Sequence, residues 1–395
     1  MSPVPRQNVV DLPARVALLG GLRTPFVQRS GGLRAMGPAE LLGQVLGELV
    51  ARHEIAPDDV GVCALTLAPL LSDASDEEVA AVVARAGLPR EVNAYAVARG
   101  SLSSLETTTL AATAVAHGDV RAALAGAAES GSQRHISVPA RLSGLLREAA
   151  RAGSMWGAAR VLMRAQRADV RTRRAAPSAR RGVDLTRAEV EAFVEDARRR
   201  AREDAHEGHD VLRVFAPPSF VRPVAADDVP CATAEADGAC GLLLTLEERA
   251  RAEGRDVEAI VRGWSWTPPE AEGGASLARA ASHALAGAGA GLDDVAAVEV
   301  HATTAEEIVL TTRVLESRVI ARRVLGSDAP RGALSPHRVN VRGGSAALGH
   351  AAAATGARVV LDAARALDGG PRPFALALVS GADGASGAML LEAPR

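Results

Sequence analysis

Short apolar runs alternate with amphipathic stretches along most of the chain. Residues 15–19, 62–67, 94–98 and 121–128 are compact apolar runs of strand length. Residues 38–53 place Leu41, Leu42, Val45, Leu46 and Leu49 on one helical face. Residues 76–86 open on acids, which suit a helix N-terminus, and residues 99–117 turn into a further helix. The pattern breaks at residue 131. It resumes with strands over 239–246, 259–266, 295–300, 374–381 and 388–392. Between these, 303–321 is expected as one helix, and 339–341 as an extended lead into a small-residue helix that starts near His350. Alternating strands and helices predict an α/β layered fold. Residues 121–131 and 374–384 echo one another, each following an Ala-rich helix that follows a Gly-rich turn. That echo predicts two similar halves.

The interruption has its own character. Residues 134–181 hold twelve arginines against two acids, Glu148 and Asp169. Leu142, Leu145, Leu146, Met155, Trp156, Val161 and Leu162 intersperse them, which reads as one or two basic amphipathic helices. A second, strongly charged helix is expected over 185–205, with Thr186 as a cap ahead of Glu189. The basic face could meet a nucleotide phosphate, an acidic carrier protein or an anionic membrane surface, in which case the membrane contact is peripheral. It could equally be a solvated helix face.

Composition removes several function classes. The chain has 395 residues and a net charge of −2, so no global field recruits nucleic acid. It contains no apolar run of membrane-spanning length, and residues 1–13 lack the apolar core of a signal peptide. A cytoplasmic protein is expected. All basic residues besides histidine are arginine, which excludes Schiff-base chemistry on lysine and a Walker-type lysine. Cys63, Cys231 and Cys240 are scattered and read as small buried side chains. His206-Glu-Gly-His209 offers two metal ligands without a third, so no metal site is expected.

The stretch Asn340-Val-Arg-Gly-Gly-Ser-Ala-Ala-Leu-Gly-His350, continuing through Thr355-Gly-Ala-Arg358, resembles the thiolase signature N-x-x-G-G-x-x-A-x-G-H-P with its following G-A-x-G. Ala351 stands where the signature has proline. Arg23-Thr-Pro25 after the first strand, Gly126-Ala-Ala-Glu-Ser130 and Glu299-Val-His-Ala-Thr-Thr-Ala305 match further family motifs. The resemblance spans nearly the whole chain and is nearest to the fatty-acid-oxidation β-subunit branch. It implies two βαβαβαββ halves in a five-layer αβαβα arrangement with an inserted helical loop domain. The corresponding divisions are 14–130 and 216–250 for the N-terminal half, 131–215 for the insertion and 251–395 for the C-terminal half. It also implies at least a dimer.

The resemblance places Ser101 on the family's nucleophilic cysteine and Ser380 on its second, proton-shuttling cysteine. Ser101 sits where strand becomes helix, and free N–H groups there could stabilise an oxyanion. Serine needs an adjacent base, and His350 is the candidate that the family geometry brings near. The alternative is that Ser101 only caps a helix. His301 could help His350 hold a thioester oxygen, or both could be buried, hydrogen-bonded histidines. A serine hydroxyl at 380 is a poor base toward a carbon acid, which argues against carbon–carbon bond formation. The coenzyme A segment is eroded as well: Cys231-Ala-Thr-Ala-Glu-Ala-Asp-Gly-Ala239 keeps Asp237-Gly238-Ala239 but not the polar residues before them.

Three functions are compatible with these residues. One is an acyltransferase that moves an acyl group from a coenzyme A or carrier-protein thioester through Ser101, with no permanently bound cofactor. A second is a degenerate subunit or scaffold for a heteromeric partner. A third is a thiolase-fold retro-aldolase, a class that resembles users of tyrosine acid/base groups, whereas the one tyrosine here, Tyr95, lies on the third strand.

Overall fold

The computed structural model describes residues 12–67, 75–133, 185–204, 235–270, 274–328, 330, 332–367 and 369–394, with 148, 151, 154 and 156. The N-terminal strands are β1 (Val16–Arg23), β2 (Val27–Gln28), β3 (Val60–Leu67), β4 (Asn93–Ala96), β5 (Ala122–Glu129) and β6 (Ala236–Leu246). The C-terminal ones are β7 (Ala259–Thr267), β8 (Val295–His301), β9 (Phe374–Ser380) and β10 (Ser386–Glu392). The helices of the first half are α1 (Pro38–Arg52), α2 (Asp76–Arg85), α3 (Ser103–Ala116), α4 (Arg187–Asp204) and α5 (Glu247–Ala252). Those of the second are α6 (Ala275–Gly287), α7 (Ala305–Glu316), α8 (Arg318–Leu325), α9 (Gly344–Leu348) and α10 (Ala352–Arg365).

The strands run in the order β4-β3-β5-β6-β1-β7-β10-β9-β8, with β2 attached to β6. A short antiparallel pairing of β1 with β7, Val16 opposite Val261 to Leu18 opposite Ala259, joins the halves. Read outward from that junction, one half is β1-β6-β5-β3-β4. The other is β7-β10-β9-β8, followed by Val339 in a parallel bridge to Val298 in the place of β4. The duplication expected from the 121–131 and 374–384 echo is therefore present, with β5 and β9 in equivalent positions.

Side chains on a strand alternate between faces, and here both faces are covered. Ala375, Ala377 and Val379 of β9 join the core around α3 and α10, whereas Leu376 and Leu378 join the core of α6, α7 and α8. On β1, Val16 and Leu18 face the central helices, and Ala17 and Leu19 face α1 and α2. The layers are thus α1–α2, first half-sheet, α3–α10, second half-sheet and α6–α8, the five-layer order that the resemblance implied.

A helix enclosed by sheets on both sides is apolar all round. In α10 every residue from Ala352 to Ala364 is buried, and most are alanine or glycine, which lets backbones approach. Gly356 marks the tightest point. A Cβ there would lie 2.8 Å from the Leu105 backbone nitrogen and 2.8 Å from Ser104 Oγ of α3. Ser104 Oγ accepts from the Ala357 N–H at 2.9 Å across the same contact. Glu129, at the end of β5, accepts from the Ala353 N–H at 2.9 Å and so caps the N-terminus of α10.

Two sequence expectations change. Residues 303–321 are not one helix: Ser317 is extended (φ −108°, ψ 112°), and its hydroxyl accepts from the Ile320 N–H at 3.3 Å to start α8. A serine side chain that offers the backbone a cap favours this break. The helix Ala275–Gly287 was not anticipated, because alanine-rich periodicity is weak. The charged helix is present as α4, with Thr186 and Glu189 closing a capping box. The chain divides into two compact units, Arg134–Ser178 and the remainder, and α4 belongs to the larger one. The expected basic helices over 134–181 fall outside the described residues apart from 148, 151, 154 and 156, of which Trp156 is 84% exposed. Cys231, His206 and His209 also lie outside them. Cys63 and Cys240 are buried, and burial pushes both thiols up to about 12. No helix among the described residues is long and apolar enough to cross a membrane.

Gly356→Ala tests the helix contact. Helix propensity alone would favour alanine by ~1 kcal/mol, but a Cβ facing the Leu105 backbone cannot be relieved by moving a side chain, and overpacking costs about 1–3 kcal/mol. The expected outcome is a net loss of stability in urea unfolding. An increase would mean that the helices separate freely.

Candidate active site

Ser101 stands in a single 3-10 turn, Gly100–Leu102, that leads into α3. Gly100 takes φ +56°, a left-handed value that glycine adopts without strain. The capping work here falls to Ser103: its hydroxyl accepts from the Arg99 N–H at 2.6 Å and donates to the Gly100 carbonyl at 2.7 Å. Ser101 is buried, and the partner of its hydroxyl is His350 Nε2 at 3.3 Å. Among the described residues its side chain makes no cap.

His350 is held between α9 and α10 by its neighbours in the glycine-rich stretch. Asn340 donates its N–H to the Val298 carbonyl at 2.9 Å and accepts from the Val300 N–H through Oδ1 at 2.7 Å, which pins the loop to β8. Gly343 has φ +94°, and a Cβ there would meet Ala201 Cβ and the Ala197 carbonyl of α4 at 2.6 and 2.8 Å. Arg200 of α4 donates to the Val339 carbonyl at 2.7 Å. The His350 carbonyl accepts from the Ala236 N–H at 3.0 Å, fixing the loop's far end to β6.

The hydrogen bonds assign the tautomers. Thr355 Oγ1 donates to the Ala351 carbonyl at 2.9 Å, so at 2.9 Å from His350 Nδ1 it acts as acceptor. His350 therefore carries its proton on Nδ1 and turns the Nε2 lone pair to Ser101. The 3.3 Å separation is at the long end of the range, as nucleophile–base contacts commonly are before substrate tightens them. His301 ends β8 and stacks on His350, ring centroids 4.1 Å apart. Ser345 Oγ accepts from Arg358 Nη2 at 2.7 Å and lies 2.9 Å from His301 Nδ1. The acceptor left for the Ser345 hydroxyl proton among these contacts is His301 Nδ1, so His301 carries its own proton on Nε2. One histidine thus offers a lone pair and the other an N–H donor.

Burial governs the electrostatics. It pushes His350 down to about 4, with Arg358 adding to the effect, and holds His301 well below the ordinary imidazole range, with His350 and Arg358 contributing. Both rings are neutral at pH 7. Arg358 itself is fully buried and paired with Asp362 at 2.5 Å. Glu299, two residues ahead of His301, is pushed up to about 8 by burial and by Asp362.

Ser380 ends β9 one residue after Val379, the register partner of His301, and faces the α6–α8 layer. Its hydroxyl donates to Glu307 Oε1 at 2.8 Å. The C-terminal ends of parallel strands are where α/β sheets commonly bind ligands. Asp237 accepts from the Ser132 N–H at 3.0 Å. Glu307, Ser345, Thr355 and Arg358 were not singled out from the sequence. An i,i+4 pair of Arg358 and Asp362 inside an otherwise apolar helix is the signal that could have flagged a buried cluster. Among the described residues no group of three metal-ligating side chains forms.

Such an arrangement can deliver a serine oxygen to an electrophilic carbonyl, with a base at the hydroxyl and an N–H donor beside it. Family models for the thiolase N-terminal domain and the thiolase C-terminal domain match residues 16–212 and 259–393. The chain belongs to the thiolase family, whose members are acyltransferases. It is 26% identical to a 3-ketoacyl-CoA thiolase of Enterobacter sp. (strain 638), over 96% of this chain and 97% of that protein. It is 27% identical to the 3-ketoacyl-CoA thiolase of Escherichia coli (strain SMS-3-5 / SECEC), over 98% of each. Among solved structures, human mitochondrial 3-ketoacyl-CoA thiolase in complex with CoA superposes with a TM-score of 0.73 at 17% identity, over 98% of this chain and 100% of that one. The Acat5 thiolase from Ascaris suum in complex with coenzyme A gives 0.70 at 18% identity, over 96% and 100%.

Two measurements follow from the neutral histidines. Their folded pKa values lie below the unfolded value of about 6.5, so the unfolded chain binds protons that the folded one refuses. This contribution to stability is complete above pH 6.5 and is lost as pH falls toward about 4. Urea midpoints should drop across that window, and His350→Asn should flatten the drop. In long-range ¹H–¹⁵N spectra, His301 should carry its proton on Nε2, and Ser345→Ala should populate the other tautomer.

Proposed function

We propose that this chain transfers an acyl group from a coenzyme A or carrier-protein thioester to an acceptor through Ser101, and that it does not form carbon–carbon bonds. The observation that carries the reading is the Ser101–His350 contact with the Nε2 lone pair facing the hydroxyl. Ser101 Oγ attacks the thioester carbonyl as His350 Nε2 takes its proton. The tetrahedral intermediate collapses, the carbon–sulfur bond breaks, and the thiolate leaves with the proton from His350. His301 Nε2–H and the Ser101 N–H at the helix start would face the oxyanion. The coenzyme A donor is supported by the relatives' names and by the coenzyme A in the human and Ascaris complexes. We place the protein in the cytoplasm as a dimer or higher oligomer.

A second reading, a thiolase-fold subunit without its own chemistry, draws on the low basicity of His350. A base pushed down to about 4 takes a serine proton only when charge forms beside it in the transition state. Intact-protein mass spectrometry after incubation with a panel of acyl-CoA and acyl-carrier thioesters separates the two. The expected result is one acyl mass on the wild-type chain and none on Ser101→Ala. His350→Ala should slow adduct formation by about 10²–10⁴-fold. No adduct with any donor sinks the transfer reading and directs the work to a pull-down for a partner.

A further inference from the structure

The second half of the sheet keeps only a remnant of the strand that β4 forms in the first. There β4 pairs in parallel with β3 over four residues, from Val62 opposite Asn93 to Leu65 opposite Ala96. Among the described residues, its counterpart is Val339 in an isolated bridge to Val298. This thinly paired edge nevertheless carries the loop that leads to His350.

Helix α4 supplies hold that the sheet does not. Arg200 Nη1 donates to the Val339 carbonyl at 2.7 Å and to the His337 carbonyl at 3.5 Å, and Nη2 donates to the Pro336 carbonyl at 3.4 Å. Asp196, one turn earlier in α4, pairs with the same guanidinium and orients it. The Arg200 side chain is 10% exposed, so these bonds are largely sheltered from water. The peptide unit between Val339 and Asn340 is thus gripped from two sides. Its N–H goes to the Val298 carbonyl of β8, and its carbonyl goes to Arg200. The turn that follows closes through the Gly343 N–H on the Asn340 carbonyl at 2.9 Å, and Gly343 lies against Ala197 and Ala201 of α4.

Contacts run from this turn into the site. Asn340 takes φ +50°, a left-handed value that asparagine tolerates better than most residues. Its Oδ1 accepts from the N–H of Val300, the residue before His301. Ser345, two residues beyond Gly343, lies 2.9 Å from His301 Nδ1. The strand ahead of His301 and the hydroxyl that sets its tautomer therefore both depend on one turn. The other end of α4 docks elsewhere: Val190 and Val194 are buried with Ala305 of α7, and Glu189 pairs with Arg313.

We propose that Arg200 is a positioning residue for His301. By holding the Val339 carbonyl it fixes the Asn340–Gly343 turn, and with it the Ser345 hydroxyl that keeps the His301 proton on Nε2. Its effect on rate rests on the reading of His301 as an oxyanion donor, whereas the tautomer is a property of the free protein.

The test uses the full-length chain, with long-range ¹H–¹⁵N spectra of the histidines and mass-spectrometric rates of Ser101 labelling by acetyl-CoA. Arg200→Ala should populate the second His301 tautomer. It should also slow labelling about tenfold, as for the loss of one charge-assisted hydrogen bond, with the half-saturating acetyl-CoA concentration unchanged. Arg200→Lys keeps the charge, but an ammonium does not span three carbonyls. It should move His301 in the same direction by less, and it decides the matter alone if Arg200→Ala does not fold. Glu189→Gln breaks the ion pair at the far end of α4 and should leave spectra and rate as in the wild type, even where it lowers the urea midpoint. A wild-type His301 spectrum in the Arg200 variants overturns the proposal. An equal disturbance by Glu189→Gln also overturns it, by assigning the effect to the docking of α4 as a whole. If the wild-type chain takes no label, the transfer reading fails, and the spectra still decide for or against Arg200.

Discussion

The close approach of α3 and α10 between the two half-sheets sets the geometry of everything around it. Gly356 lets the α10 backbone meet Ser104 and Leu105 of α3, and Ser104 Oγ ties the two together through the Ala357 N–H. Each helix begins just after a glycine-bearing turn. Drawing the helices together therefore draws together the turn with Ser101 and the loop with His350. Glu129 reinforces the arrangement from β5, placing a buried carboxylate on the N-terminus of α10, three residues after His350. In the architecture, each half supplies one partner, and neither half contains the Ser101–His350 contact by itself.

Burial is what gives this site its chemistry. Two stacked rings would repel if both were charged, and desolvation keeps both neutral. Two hydroxyls then decide which nitrogen of each ring bears the proton. Thr355 gives its own proton to a helix carbonyl and so accepts from His350. Ser345 receives Arg358 and so donates to His301. The result is an acceptor and a donor side by side, which suits a nucleophile and the oxyanion it generates. Arg358 is compensated by Asp362 within one helical turn, so a buried guanidinium can orient Ser345 without charging the site.

Much of this was legible in the order of the residues. Periods of two and of about 3.6 gave the strands and most helices, and the echo between 121–131 and 374–384 gave the duplication. Gly343, Gly344 and Gly349 announced a tight loop beside His350, because left-handed backbone and close approach favour glycine. Ser101, His301, His350 and Ser380 stand out through the thiolase resemblance. The break at Ser317 was not, because one hydroxyl capping a new turn leaves no mark on hydrophobic periodicity.

By itself, then, the sequence determined the layered α/β class and the two halves, which depend on local period, and its resemblance to the thiolases marked the residues from which a site could be built. Only the tertiary structure decided how those residues are used. Whether Ser101 caps a helix or meets a histidine depends on α10, some 250 positions away in the chain. Glu307 reads as one more N3 capping glutamate, as Glu78 and Glu189 are, until β9 brings Ser380 to its carboxylate. Protonation and partner choice are set by burial and by groups remote in sequence, and a linear pattern does not contain those distances.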